Sequence, residues 1–198
     1  MKIQVILGTN RPSRASERVA KWVVESAKSE EGFEVELVDL ADYPVPHFDE
    51  AISPRFNPNR KPNEIAAKWL AKISEADGYI FVTPEYNHSF PGILKDALDY
   101  VAFEMLRKPA TIVSHGTVGG ARAAEQLKLV LTEARTAIIP EAVTLMGVND
   151  ILDEQGNLSV EAKARPYGPQ IALDSMLASL AWYTEALTTA RTAEVAKV

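Results

Sequence analysis

A single α/β domain built on a parallel five-stranded sheet is the fold this sequence predicts, on three observations. Apolar runs alternate with amphipathic runs along most of the chain, which is the strand–helix alternation of βαβ units. Parallel strands need crossover connections, and an amphipathic run stands between each successive pair of apolar ones. The 198 residues, 46% of them apolar, suffice for one domain with a sizeable core, and no repeat, low-complexity segment or linker divides them.

The elements follow in order. "KIQVIL" (2–7) reads as a strand buried on both faces, and the polar loop "GTNRPSRAS" follows it. "ERVAKWVVESAKS" (17–29) places Val19, Trp22, Val23 and Ala27 at helical spacing, and Gly32 stops it. "FEVELVDL" (33–40) alternates, with Phe33, Val35 and Leu37 on one face, as a strand near the sheet edge does. Residues 41–62 carry five prolines and little periodicity, so they form a long loop. Asn63 caps a helix in which Ile65, Trp69 and Ile73 recur every four residues. "GYIFVT" (78–83) is the third strand. Pro91 opens a helix over 91–106, with Ile93, Leu94, Ala97, Leu98 and Val101 inward. "PATIVS" (109–114) is the fourth strand, 119–135 a helix, and "EAVTLM" (141–146) the fifth strand. Residues 147–167 look irregular, and an extra C-terminal helix spans about 168–195, with Met176, Leu180, Tyr183 and Leu187 along one stripe.

Composition removes several classes of function. A net charge of −6 argues against broad attraction to nucleic acid or anionic membranes. The absence of cysteine excludes disulfides, thiolate metal sites, iron–sulfur clusters and cysteine nucleophiles. Three scattered histidines, without ligand spacing, make no metal site. The opening "MKIQVILGTN" lacks the longer apolar core of a signal peptide, and no stretch is apolar enough for a membrane span. A cytoplasmic location is expected.

Ligands of such sheets bind at the carboxyl ends of the strands, where the strand order reverses. For the order 2-1-3-4-5 that point lies between strands one and three, and the two most unusual polar loops follow those strands. "GTNRPSRAS" (Gly8–Ser16) leads into a helix N-terminus, whose free N–H groups favour anions. Thr9, Ser13 and Ser16 add hydroxyl donors, and Arg11 and Arg14 add forked cations. It has neither the Gly-Lys-Ser/Thr ending of a P-loop nor a G-x-G-x-x-G fingerprint, so it suits a terminal phosphomonoester. The plainer alternative is a solvated turn with Ser16 as helix cap. After strand three, Pro84 stiffens a loop presenting Glu85, Tyr86 and Asn87. The Asn87 amide suits the alternating edge of a planar heterocycle, and Tyr86 offers an aromatic face. Alternatively this is a stiff surface loop with Tyr86 as packing and Asn87 as turn former.

Together these loops resemble the NADPH-dependent FMN reductase family of flavodoxin-like proteins, which includes quinone, azo and chromate reductases. "GTNRPSRAS" is similar to its G-S-x-R loop, with Thr9 in the serine position. "TPEYN" (83–87), "PG" (91–92) and "LKDALD" (94–99) match its central motif, and "SHGTVGGAR" from Ser114 matches S-x-G-x-x-G-G. The resemblance covers roughly residues 2–146.

The resemblance implies a flavodoxin-like doubly wound sheet, with residues 147–198 as an extension of a single domain. It implies FMN as cofactor and NADPH or NADH as co-substrate. Thr9, Arg11, Arg14 and Ser16 would hold the FMN phosphate. Pro84, Glu85, Tyr86 and Asn87 would line the ribityl chain and ring edge, with Ser114, His115, Gly116, Gly119 and Gly120 on the ring's other side. For His115 a backbone-bonded loop role stays equally open, and Arg122 reads as helix surface. No side chain need act as acid or base, because FMN carries the redox chemistry. The acceptor would be a small molecule: a quinone, azo dye, metal oxyanion or free flavin. Family members commonly pair through helices, and apolar Val101, Phe103, Met105, Leu106, Trp182 and Tyr183 imply a homodimer or homotetramer here. A flavodoxin-type electron carrier and a non-flavin nucleotide or phosphosugar binder are the rival readings.

Overall fold

The computed structural model describes residues 1–195. Its core is a wholly parallel sheet in the order β2-β1-β3-β4-β5. The strands are β1 (Lys2–Leu7), β2 (Glu34–Asp39), β3 (Gly78–Pro84), β4 (Pro109–His115) and β5 (Ala137–Ile138), with β6 (Val143–Leu145) also paired to β4. The order expected from the sequence is the one observed. Side chains alternate across each strand, so each central strand feeds two cores. Ile3, Val5, Leu7, Ile80 and Val82 pack against Val19, Trp22 and Val23 of α1 (Ser16–Ala27). Ile6, Tyr79, Phe81 and Ile112 pack on the other side with Trp69 of α2 (Glu64–Ser74). Leu94 of α3 (Gly92–Asp99) and Leu127 of α4 (Ala121–Glu133) complete that second core.

Two buried polar tips, those of Trp69 and Tyr79, are satisfied by carbonyls near helix ends. Trp69 Nε1 donates to the Ala97 carbonyl at 2.8 Å, and the Tyr79 hydroxyl to the Ile73 carbonyl at 2.6 Å. The C-terminal helix α7 (Pro169–Val195) lies against α1 and buries Met176, Leu177 and Leu180 in the first core. Arg191 holds it to the amino-terminal edge of the sheet, donating to Asp77 Oδ1 at 3.3 Å and to the Arg107 carbonyl at 2.9 Å.

Three segments differ from the sequence expectation. The fifth strand is divided and begins earlier, at Ala137. Ile139 still donates to the Ala110 carbonyl, but Pro140 has no N–H, and the Glu141 carbonyl accepts from the Thr111 hydroxyl instead. β4 therefore pairs Pro109 with Ala137 but Val113 with Val143, with two extra residues taken up at the break. The helix expected over 91–106 stops at Asp99, because the Glu104 carboxylate takes the amides of Ala102 and Phe103 at 2.7 and 3.0 Å. The turns that follow bury Val101 and Met105 within the chain and leave Phe103 exposed, so these residues do not form one helical surface. Pro91 sits at the N-cap, ahead of Gly92, rather than inside the first turn. Residues 147–167, expected to be irregular, contain α5 (Val148–Ile151), α6 (Val160–Ala164) and a bridge between Leu152 and Leu158.

Asn63 caps α2 as its spacing indicates: its side-chain oxygen accepts from the Ala66 amide at 2.9 Å. Replacing it removes one partner of a helix-terminal donor. Asn63→Ala is expected to lower stability by about 1 kcal/mol and Asn63→Asp to retain most of it, as read by urea unfolding.

Candidate functional site

The strand order reverses at β1, and the loops after β1, β3 and β4 meet above the carboxyl ends of their strands. The register brings Leu7 beside Val82, and Pro84 beside His115. The Gly8 amide donates to the Val82 carbonyl, and the Glu85 amide to the His115 carbonyl, both at 2.9 Å. Each loop therefore leaves the sheet bonded to its neighbour.

The first loop turns back on itself around Thr9, which is buried. Thr9 Oγ1 accepts from the Arg11 amide at 3.3 Å and lies 3.2 Å from the Tyr86 hydroxyl. The Arg11 guanidinium stands over the Tyr86 ring, 5.7 Å from its centroid, a cation–π contact. Arg14 behaves differently. It grips Asp39 with both terminal nitrogens, donates to Glu17 Oε1 at 3.1 Å, and reaches the Thr9 carbonyl. Its side chain is 9% exposed, so it shapes the loop from beneath while Arg11 faces outward. Among the described residues Arg11 has no carboxylate partner, and no side chain caps the start of α1, where Ala15 is the N-cap. A free guanidinium beside an uncapped helix start is what an anion uses.

Ser16 is not that cap. Its Oγ lies 2.7 Å from His115 Nε2, and both side chains are buried. This bond ties the first loop to the third. Burial pushes the His115 imidazole down to about 4, so it stays neutral at physiological pH.

After β3, Tyr86 and Ser89 exchange both backbone hydrogen bonds, at 2.8 and 3.0 Å, around a two-residue turn. Asn87 and His88 occupy its tip at φ 50° and 68°, the left-handed pair that a mirror-image type I turn requires. Asn87 is exposed there. The Glu85 side chain is 6% exposed and is paired with Arg122 of α4, which holds its carboxyl below the usual carboxylate range. In the third loop Ser114 Oγ donates to the Gly119 carbonyl at 2.9 Å. Gly119 and Gly120 have φ of 76° and 75°. A Cβ on Gly120 would sit 2.7 Å from the His115 nitrogen, so the loop can fold this tightly over β4 only with glycine there.

The structure thus brings all thirteen expected residues to one edge of the sheet, with Arg14 turned inward and Ser16 engaged by His115. Asp39, which nothing local in the sequence marks, joins this edge through Arg14, and Arg122 lies on the exposed face of α4, as expected, while pairing with Glu85. A cavity of about 490 Å³ borders this edge, lined by Ala15, His115, Gly116, Thr117 and residues 147–150. Another cavity, of about 550 Å³, lies between α3, α4 and the segment around Pro54 and contains none of these residues.

A parallel sheet of this order with polar loops at its reversal point defines a flavodoxin-like protein. Its architecture matches the flavoenzyme NAD(P)H:(acceptor) oxidoreductase FerB from Paracoccus denitrificans, with a TM-score of 0.71 at 22% identity over 93% of this chain and 97% of that one. A sequence profile of the family described as NADPH-dependent FMN reductase matches residues 1–150, and the chain belongs to that family. It is 42% identical, over 70% of each chain, to an NAD(P)H-dependent FMN reductase of Schizosaccharomyces pombe. It is 30% identical to a quinone reductase of Pseudomonas putida, over 83% of this chain and 87% of that one. The protein is accordingly an oxidoreductase that uses FMN and NAD(P)H. No helix among the described residues is long and apolar enough to cross a membrane.

The neutral, buried His115 makes stability depend on pH. Its folded pKa lies below the ordinary value of 6.5, so the unfolded chain takes up a proton that the folded one refuses. The stability it contributes is present above about pH 6.5 and is lost as pH falls toward 4. Urea unfolding is expected to show a loss of about 2 kcal/mol between pH 7 and 5 that is absent in His115→Gln.

Proposed function

We propose that FMN lies across the ends of β1, β3 and β4, and that the protein passes reducing equivalents from NADPH or NADH to small acceptors. These are quinones, azo compounds, metal oxyanions or free flavin. The observation that carries this reading is the Arg11 guanidinium, with no carboxylate partner among the described residues, beside the uncapped start of α1 and over Tyr86 of the second loop. Thr9, Arg11 and Ser16 hold the phosphate, and Arg14, committed to Asp39, keeps their loop in shape. Pro84, Glu85, Tyr86 and Asn87 follow the ribityl chain and one ring edge. Ser114, His115, Gly116, Gly119 and Gly120 approach the other side, where the two consecutive glycines let backbone come close.

Bound FMN supplies the hydride chemistry. The chain's own titratable groups support a role limited to binding and orientation. Glu85 is held as a carboxylate by Arg122, and His115 is neutral down to about pH 4, so neither is poised to exchange protons near pH 7. The quinone reductase of Pseudomonas putida, similar over most of this chain, supports quinones among the acceptors. The purified protein should show flavin absorption that NADPH bleaches and a quinone restores. A colourless protein that takes up no added FMN would overturn the proposal.

Two expectations follow from the site. Arg11→Ala should weaken FMN binding by about 1.5–3 kcal/mol, as for a lost charged hydrogen bond, in fluorescence titrations of a variant with unchanged circular dichroism. The sequence has one phosphate-type loop and no dinucleotide fingerprint, and NAD(P)H and acceptor must reach the same ring face beside residues 83–90 and 114–120. They cannot occupy it together, so the kinetics are ping-pong. Initial rates at several NADPH concentrations should give parallel double-reciprocal lines; intersecting lines would reveal a separate acceptor pocket.

A further inference from the structure

The turn Glu85–Ser89 is an unusual thing to build a binding edge on. Two consecutive non-glycine residues hold left-handed backbone at its tip, and within the turn only the Tyr86–Ser89 pair opposes unwinding. What surrounds it is equally specific. Arg122 and Gln126, one helical turn apart on α4, spend their polar atoms on this one segment. Arg122 donates from its backbone amide to Glu85 Oε2 at 3.2 Å and from Nε to Glu85 Oε1 at 2.6 Å. Its Nη1 donates to His88 Nε2 at 2.9 Å. A guanidinium only donates, so His88 Nε2 accepts in this contact. Gln126 donates to the His88 carbonyl at 2.9 Å and accepts from Ser89 Oγ at 2.6 Å.

We propose that Arg122 and Gln126 are positioning residues: a two-residue clamp on α4 that sets the conformation of the turn bearing Tyr86 and Asn87, and through it the FMN affinity. This rests on the FMN reading above. The clamp reaches further than the turn, because Tyr86 in turn contacts Thr9 and Arg11 of the first loop. Arg122 has a second effect that Gln126 lacks. It neutralises a Glu85 carboxylate that is almost enclosed, beside the place where a bound flavin would gain negative charge. Without Arg122 that carboxylate opposes reduction. Loss of the guanidinium should therefore both loosen the turn and make the flavin harder to reduce, whereas loss of the Gln126 amide should only loosen the turn.

The test compares wild type, Arg122→Ala, Arg122→Lys, Gln126→Ala and the double variant Arg122→Ala/Glu85→Gln. The first readout needs no flavin. In apo protein, hydrogen exchange at the Tyr86 and Ser89 amides should quicken by about tenfold or more in Arg122→Ala and Gln126→Ala, while core amides of β1 and β3 stay protected. The second readout is FMN affinity, expected to fall about tenfold in Arg122→Ala and less in Gln126→Ala. The third is the FMN midpoint potential. It should move negative in Arg122→Ala, stay in place in Gln126→Ala, and return toward wild type in Arg122→Lys and in the double variant. If Arg122→Ala fails to fold, Gln126→Ala and Arg122→Lys still decide the clamp by exchange. Unchanged exchange at Tyr86 and Ser89 in the folded variants, with unchanged affinity, overturns the proposal. Wild-type protein that binds no FMN overturns the flavin reading instead, and the exchange data alone then decide whether the clamp exists.

Discussion

The site depends on one constraint: β1 is buried on both faces and hydrogen-bonded on both edges, to β2 and to β3. A strand so placed has no freedom of register, since a slip by one residue would exchange its two apolar faces and break two ladders at once. The chain leaves β1 toward one side of the sheet and returns to the other as β3. That reversal opens a gap between the connections above the strand ends, and the polar loops fill it.

Paired charges hold two of those loops. Arg14 bridges the first loop to Asp39 at the end of β2, and Arg122 bridges the second to α4. In both pairs the member nearest the site is almost enclosed, Arg14 at 9% and Glu85 at 6% side-chain exposure. Removing a charge from water is unfavourable, and only close, multiply bonded pairing offsets it. Once formed, such a pair resists loss of either partner, because the survivor would be left enclosed and uncompensated. The loops can therefore hold left-handed residues at Ser13, Asn87 and His88 without glycine. Burial does the same for the Ser16–His115 bond, where a neutral imidazole is retained at a length of 2.7 Å.

The comparison with known proteins and the physical reading converge from different directions. Family membership rests on residues 1–150, which contain every element that contributes to the strand-end loops. The C-terminal segment beyond that span builds one side of the first core instead, through Leu173, Met176, Leu177 and Leu180 of α7. Its contact with the sheet edge opposite the site, through Arg191, is structural in character.

The first four strands, the cap at Asn63 and the meeting of the polar loops above the strand ends were legible in the sequence because each depends on residues close together in the chain. Alternating or continuous apolar runs specify burial within a strand's own length, and a cap specifies a helix start within one turn. The family motifs likewise occupy short windows around Thr83 and Ser114. The remaining features depend on partners distant in sequence. Ser16 meets His115 across 99 positions, and Glu85 meets Arg122 across 37. The inward turn of Arg14 required Asp39, and the early end of α3 required the Glu104 carboxylate to capture two amides. The break at Pro140 depends on β4 as well: the Thr111 hydroxyl donates to the Glu141 carbonyl where the ladder is interrupted, and pairing resumes at Val143. Local pattern sets what each segment is able to bury. Which polar groups meet is decided once the chain closes on itself, because an enclosed donor, acceptor or charge must take the partner that packing brings within reach.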